Sequence, residues 1–506
     1  MRCFLTHLLF RARGNGLERF GRYSFIATFG DRVWFPPVDN PGIPENGRYS
    51  FPFNRSRQQG PKAPWGGFHP LPPATMECVS VSSGVSSPVS PSVDVLVVGG
   101  GPSGSAAAVY AARRGLSTLL IDASSFPRDK TCGDGLTPRA VHQLEKLGGA
   151  EQVTSTYSNR GLKLHGFGGS VEAPWPESAF GTRGSAMTRA SFDNLLFELA
   201  RSHPEVTTWE NATAETPVLT GSRLSAVEVN HNGQRRTVTA RHVIVADGVR
   251  STFGKKLGRI WHRGEVYGIA ARSYCTSPDS TEPWIHSHLE LRDEQGTVQP
   301  GYGWIFPLGD GTVNLGCGAL STDQRPAKVN TKKLLGFYAS QQREEWQLGP
   351  EQDVASAMLP MGGAVSNVAG PNWMLIGDSA ACVNPLNGEG IDYGLETAEL
   401  AVELIHTHPR RDATLLWPHV LKTHYGEAFV LARTAARLLT YPAFLPAMGP
   451  LAFRGPLKKV AMPAAARLMG NLITEEDKDI LARGWRLAGS TVSAARRGTP
   501  LWNSTL

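Results

Sequence analysis

The sequence predicts an α/β protein: a doubly wound parallel-sheet nucleotide domain, a separate antiparallel-sheet domain and a helical C-terminal region. Three observations predict it. The run DVLVV from Asp94 is continuously apolar after its first residue, as in a strand buried on both faces of a parallel sheet. It leads directly into Gly99, Gly101 and Gly104, a GxGxxG loop that opens an Ala-rich segment. Residues 160–175 and 266–320 alternate apolar and polar side chains between Gly-containing turns, the pattern of antiparallel strands.

Taken in order, residues 1–92 mix Pro, Gly, Arg, Ser and aromatics without periodicity and end in VSVSSGVSSPVSPS, so they read as a disordered extension or linker. Met76 stands just ahead of the folded region, and a start of translation there is an alternative. A helix is expected from Ser103 to Arg114, stopped by Gly115, with a second strand over Thr118–Ile121, completing a βαβ unit. VIVADG (243–248) and WMLIGD (373–378) are further short buried strands, so the nucleotide domain is discontinuous: 93–157, 186–265 and 360–405. The remaining segments, 158–185 and 266–359, form the substrate sheet, and 406–506 reads as helical.

At 506 residues, 41% hydrophobic and 19% charged, the chain can bury a large core. The net charge of +7 is positional: Met1–Thr75 carries ten Lys or Arg against four Asp or Glu, leaving the rest nearly neutral. That argues against a nucleic-acid partner, which needs a basic stripe on the folded surface. Cys3, Cys78, Cys132, Cys275, Cys317 and Cys382 form no CxxC pair, so their spacing indicates neither a metal site nor a disulfide framework and suits a reducing cytosol. No apolar stretch approaches the about 20 residues of a spanning helix, and the start, MRCFLTHLLFRARG, is too short and Arg-flanked for a signal peptide.

The glycine loop sits between strand and helix, a Rossmann context. The first glycine permits the turn, the second lets backbone approach a pyrophosphate and the third lets helix pack on strand, with Pro102, Ser103, Ser105 and Ala106 forming the helix start. Asp122, ending the second strand, is placed to accept from ribose hydroxyls. VIVADGVRS (243–251), with Asp247 and Gly248, and MLIGDSAACVNPLNGEGI (374–391) resemble the second and third fingerprints of glutathione-reductase-like flavoproteins with the aromatic-hydroxylase topology. The resemblance implies FAD. Asp378 would then bind the ribityl or ribose region, and the helix starting at Gly390 and Ile391 would aim N–H groups at the flavin pyrimidine. It also implies a cofactor contact from Arg189, in RASFDNLL, with Ala214 a weaker candidate. Structural readings stand beside these, since Asp378 can serve as a helix cap and Arg189 as a surface ion pair.

PRDKTCGDGLTPRAV (127–141) and PGYGWIFPLGDG (300–311) are more specific. Cys132, Gly133, Asp134 and Gly135, with Tyr302, Trp304, Phe306 and Pro307, resemble the geranylgeranyl reductase family, flavoenzymes that saturate prenyl double bonds. The likeness covers roughly 93–480, including GFGG (166–169), 261–268, PMGGAVS (360–366) and NPLNGEGIDYGLETA (384–398). It implies a prenyl lipid substrate such as a polyprenyl quinone, and a cysteine, Cys132, close to the flavin; a role there in proton delivery or gating is our expectation, with structural packing as the alternative, since an unpaired cysteine is among the most often buried residues. Alternation along a strand puts Tyr302, Trp304 and Phe306 on one face, as an aromatic wall of a dry pocket or as ordinary sheet core. Tyr302, His286, His288 and water stay open as further proton sources.

One nucleotide fingerprint alone has a strand–helix context, because GFGGS (166–170) lacks a following helix. NAD(P)H bound transiently, or an external electron carrier, is therefore expected to reduce the flavin. Residues 430–470 interleave Leu, Phe, Tyr and Met with Arg433, Arg437, Arg454, Lys458, Lys459 and Arg467, as in basic amphipathic pieces that lie on a membrane or, equally, pack on a catalytic domain. The expected location is cytoplasmic, peripheral on the cytosolic membrane face. Alternatives are a reductase of a geranylgeranyl lipid or diphosphate, a flavin monooxygenase of shared topology, and a non-catalytic flavin-bearing protein.

Overall fold

In the computed structural model of the chain, the described residues are 91–454, 464, 467–473, 480–495 and 500–503. The expected linker and Met76 lie, save residues 91 and 92, outside them. Ser92–Val98 forms the central strand of an open sheet, parallel to Thr118–Ile121 on one side and to the end of Gln234–Val245 on the other. The spatial order is Ala369–Gly370, Trp373–Leu375, Gln234–Val245, Ser92–Val98, Thr118–Ile121 and Val206–Trp209. Val95, Leu96, Val97, Leu120 and Ile244 are wholly buried, which is why this strand shows no alternation. The first half of Gln234–Val245 leaves the parallel sheet and pairs antiparallel with Arg223–His231, itself paired with Ala212–Thr220.

The first helix, Pro102–Arg113, carries Pro at its first position and ends before Gly115, whose φ of +70° suits glycine. It packs against the helix Ile391–Thr407, almost three hundred residues on, through small residues: a Cβ at Gly377 or Gly394 would lie 2.3 or 2.4 Å from Ser103 Oγ. That contact draws the first and third fingerprints together.

The second sheet runs Gln352–Pro360, Tyr267–Thr276, Thr312–Ser321, Gly301–Pro307, Trp284–His288, Gly161–Gly166 and Gly169–Pro174. It is antiparallel throughout except at one seam, where Trp284–His288 lies parallel to Gly161–Gly166, so the expected antiparallel sheet is in fact mixed. The chain crosses the nucleotide domain between those two strands, and no hairpin constrains their direction. GFGGS is the tight turn of the Gly161–Pro174 hairpin. A helix at Thr331–Gln342, capped by Asn330 Oδ1, was not foreseen; Leu334, Leu335 and Tyr338 cover the sheet against Ile305, Leu315 and Cys317.

Beyond residue 406 the described elements are helices: Ala413–Leu439, Phe444–Arg454 and Ile480–Ala495. Ala413–Leu439 is anchored on the nucleotide sheet, since the fully buried Trp417 donates from Nε1 to Leu375 O (2.8 Å), and Trp502, past the last helix, donates to Ala380 O (2.7 Å), whereas Phe444–Arg454 packs through Phe453 on the Gly161–Pro174 hairpin. Of the two readings of 430–470, packing on the protein applies to three of its arginines. Arg433 is buried and donates to Pro500 O, Arg467 is buried, and Arg454 donates to Phe167 O, so these cations meet backbone carbonyls of the protein. Such inward turns satisfy carbonyls that would otherwise be orphaned. Lys458 and Lys459 lie outside the described residues. No described helix is long and apolar enough to cross a membrane.

Candidate active site

The glycine loop is shaped by close backbone approach. Gly99 has φ +105°, and a Cβ there would fall 2.4 Å from Ala246 O; at Gly104 it would fall 1.7 Å from Gly99 O. Asp122 Oδ2 accepts from Gly100 N (2.8 Å) and Oδ1 from Ser124 N (2.8 Å), so the acid at the second strand's end also fastens the loop. Ser105 Oγ donates to Gly100 O, and Ser105, Ala106 and Ala214 are buried in the core, where they shape the site without facing it. Gly101 is different: a Cβ there would meet only Arg128 Nη2, at 3.5 Å, leaving the helix N-terminus approachable by an anion.

A cavity of about 1120 Å³, reaching Ser124 and Arg128 near this loop, lies between the two sheets. Its polar end is lined by Arg128, Lys130, Arg189, Asp247, Arg250 and Asp378; its far end by Leu162, Leu289, Leu359, Leu386, Leu445 and Met469. Arg189 lines the cavity and is also a buried ion pair, with Nε 2.6 Å from Asp193 Oδ1 and Nη2 2.8 Å from Oδ2. Asp378 faces Lys130 at 3.9 Å, and Gly390 lets it approach the start of the Ile391–Thr407 helix. Asp247 accepts from Ser251 Oγ and Phe253 N, while the positive φ of Gly248 (+70°) leaves room for Lys130. Glu389, which the sequence reading passed over, lines the cavity and accepts the Ile391 N–H at 3.1 Å; burial and the neighbouring Asp392 push its carboxyl well above the usual range. It therefore occupies one of the N–H groups expected to face the flavin.

The two specific motifs meet at one side chain. Asn314, from the strand beside Gly301–Pro307, donates to Cys132 O (2.9 Å) and Asp134 Oδ2 (2.8 Å), and its Oδ1 accepts from Trp304 Nε1 (2.9 Å). Tyr274 donates to the same Asp134 oxygen at 2.7 Å. Cβ atoms at Gly133 or Gly135 would press on Phe306 at 3.0 Å, so both glycines of the Cys132–Gly135 loop admit the aromatic strand. Tyr302, Trp304 and Phe306 line the cavity in a row, with centroids 5.8 and 6.1 Å apart, and Tyr302 donates to Asn387 O at 2.6 Å. Burial pushes the Cys132 thiol up to about 11, so it holds its proton at neutral pH, and Arg189 is within hydrogen-bonding reach of it. His286 and His288 are not near this chemistry: Ile285 and Ser287 line the cavity, and alternation turns the histidines to the opposite face. They are removed as proton sources.

Asp134 carries a testable pH signature. Burial raises its carboxyl from 3.8 to about 6 despite the Tyr274 and Asn314 bonds, and Oδ1 is buried without a partner. A carboxyl raised on folding contributes stability that is complete below its unfolded value and lost as pH climbs through the folded one. Asp134→Asn keeps an oxygen for both donors and cannot ionise. Its stability advantage over the native chain is expected to grow between pH 4 and 6, approach about 3 kcal/mol and level off by neutrality, read from thermal unfolding across that range. A gap that shrinks with rising pH would contradict this assignment.

A cradle closed by Gly99, Gly104 and Gly377, reached by three distant segments and continued past Asp378, fits an extended dinucleotide whose ring end is held by separate chain. The fold and site thus define an FAD-binding oxidoreductase. A family model described as FAD binding domain matches residues 92–416. Menaquinone reductase of Mycobacterium tuberculosis is 49% identical over 427 residues, 81% of this chain and 99% of that protein. Menaquinone reductase of Mycolicibacterium smegmatis is 51% identical over 397 residues, 78% and 96% of the two chains. A digeranylgeranylglycerophospholipid reductase of Thermoplasma acidophilum is 28% identical, over 62% of this chain and 79% of its own. Among solved structures, a geranylgeranyl bacteriochlorophyll reductase-like protein from Thermoplasma acidophilum shares the fold at TM-score 0.60 and 20% identity, over 80% of this chain and 97% of that one. A flavin-dependent brominase does so at 0.61 and 18%, over 80% and 100%. The chain belongs to the geranylgeranyl reductase family of FAD-dependent oxidoreductases, among the relatives of menaquinone reductase.

Proposed function

We propose that this enzyme saturates one isoprenyl double bond of the menaquinone side chain. The observation that carries the proposal is the joining, through Asn314, of the Cys132–Gly135 loop to an aromatic row on the wall of a cavity whose far end is apolar. When bound and reduced, FAD supplies hydride to an isolated alkene. The chain must then exclude water, hold the alkene and provide a proton. Leu162, Leu289 and Met469 suit a prenyl chain, and the faces of Tyr302 and Trp304 favour positive charge developing on it. Cys132 Sγ holds the proton, and Arg189 offsets the negative charge left when it departs. Exposed Arg250 and Lys255 at the polar rim suit the phosphates of NAD(P)H, with an external electron carrier the other source of electrons.

Anaerobic incubation with menaquinone and a flavin reductant is expected to yield a product two hydrogens heavier in its side chain by mass spectrometry. Preference for a geranylgeranyl lipid or diphosphate would move the substrate assignment within the family. An oxygenated product formed only in air would replace reduction by monooxygenation.

Such a substrate is too apolar to cross water, so collection at the cytosolic membrane face follows. Leu438, Tyr441, Met448 and Leu451 are exposed, while Leu439 and Leu445, interspersed among them, line the cavity. This corner, and not the buried arginines, is the surface suited to lipid. The full chain is expected to float with vesicles containing anionic lipid, and Met448→Glu with Leu451→Glu to reduce flotation severalfold. Complete recovery of native protein in the soluble fraction at low salt would rule it out.

A further inference from the structure

Three histidines lie together on the outer face of the substrate sheet, away from the cavity. His165 and His288 are register partners across the parallel seam between Gly161–Gly166 and Trp284–His288, and His286 stands two residues before His288 on the same face. One ring nitrogen from each lies within 4.8 Å of the other two. His165 Nε2 and His286 Nδ1 are 3.1 Å apart, close to the about 3.3 Å edge of a tetrahedron built on zinc–nitrogen bonds of about 2.0–2.1 Å. We propose that His165, His286 and His288 form a mononuclear site for a divalent transition metal ion of the zinc type, with water completing the coordination.

The surroundings are those of a ligand set. His288 Nδ1 hydrogen-bonds the Tyr338 hydroxyl, which orients the ring from the helix Thr331–Gln342. His286, only 4% exposed, turns its Nε2 toward Glu282 Oε1 at 3.7 Å, and that nitrogen has no hydrogen-bond partner. A carboxylate behind a ligating imidazole strengthens it as a donor. Trp346 packs edge-on against His286 and closes one side, while His165 and His288 are only half-buried and leave an approach. The nearest cation, Lys163, is turned to Glu172 at 3.6 Å. A metal here would clamp the one parallel seam of the sheet, on the face opposite the proposed prenyl pocket.

The test uses the untagged, FAD-loaded full chain, stripped with chelator and titrated with Co²⁺. One equivalent per chain is expected, with the visible absorption of four-coordinate cobalt, displaced by Zn²⁺, which also raises the unfolding temperature. Tyr338→Phe removes one hydroxyl and should weaken binding by about 10–100-fold. His165→Ala with His288→Ala should abolish it, whereas His165→Cys alone should retain it with a new thiolate-to-cobalt charge-transfer band. Failure of the native chain to bind Co²⁺, binding undiminished in the double variant, or absence of that band in a cobalt-loaded His165→Cys protein overturns the site. None of these readouts depends on prenyl reduction.

Discussion

Gly104→Val is expected to yield a protein that retains no FAD and unfolds far below the native temperature. A Cβ at this position lies 1.7 Å from Gly99 O and 3.3 Å from Ala246 Cβ, and neither neighbour is the yielding tip of a long side chain. Relief requires the helix Pro102–Arg113 to withdraw from the ends of the two central parallel strands. That would also part Ser103 from Gly377 and Gly394 and open the cradle at both fingerprints. Destabilisation above about 4 kcal/mol is expected, in the range reserved for backbone-level clashes in a core. Flavin-to-protein absorbance and thermal unfolding report it together. Gly336→Ala is the matched control: it lies within the helix Thr331–Gln342, a Cβ there meets nothing within 4 Å, and a gain of up to about 1 kcal/mol is expected. Retention of FAD at native stoichiometry by Gly104→Val would mean that the glycine loop is not the cradle.

Cys132→Ala is expected to keep the yellow colour and the fold yet lose prenyl reduction by about 100-fold or more, the lower bound of what a positioned acid contributes. The residue is half-buried, so little packing is lost. Its backbone carbonyl, which binds Asn314, is untouched. The thiol is held up to about 11 by burial, with Arg189 within reach to offset the charge it leaves. Cys132→Ser keeps a hydroxyl of similar reach and should recover part of the rate. Unchanged turnover and an unchanged pH profile in both variants would withdraw the thiol and turn attention to Asp134, Tyr302 and Glu389, whose carboxyl is raised well above the usual range, as other acids on the cavity wall.

Much of the architecture was legible because it rests on local chemistry. DVLVV could only be a doubly buried strand, the glycines at 99, 101 and 104 encode their own turn, and alternation foretold that Tyr302, Trp304 and Phe306 share a face. Other features had no local signal. Asn314 carries no motif, and its three bonds exist only because its strand lies beside the aromatic one. Glu389 read as part of a glycine-rich helix start, and its raised carboxyl depends on Asp392 and on enclosure. Arg433 looked like a lipid-facing cation until packing against Pro500 buried it.

Turns, caps and strand patterns depend on neighbours within a few residues, so the amino-acid order was enough to establish a dinucleotide fold, while the flavin and prenyl reduction were implied by the resemblance of its motifs to a family. Which face each side chain shows, and which distant group it meets, depends on how sheets and helices dock. Tertiary structure alone therefore removed His286 and His288 from the reaction, placed them with His165, and linked Cys132 to Trp304 through a residue far from both in sequence. Contact across such separations follows from the summed burial of both sheets, a quantity that no short stretch of chain contains.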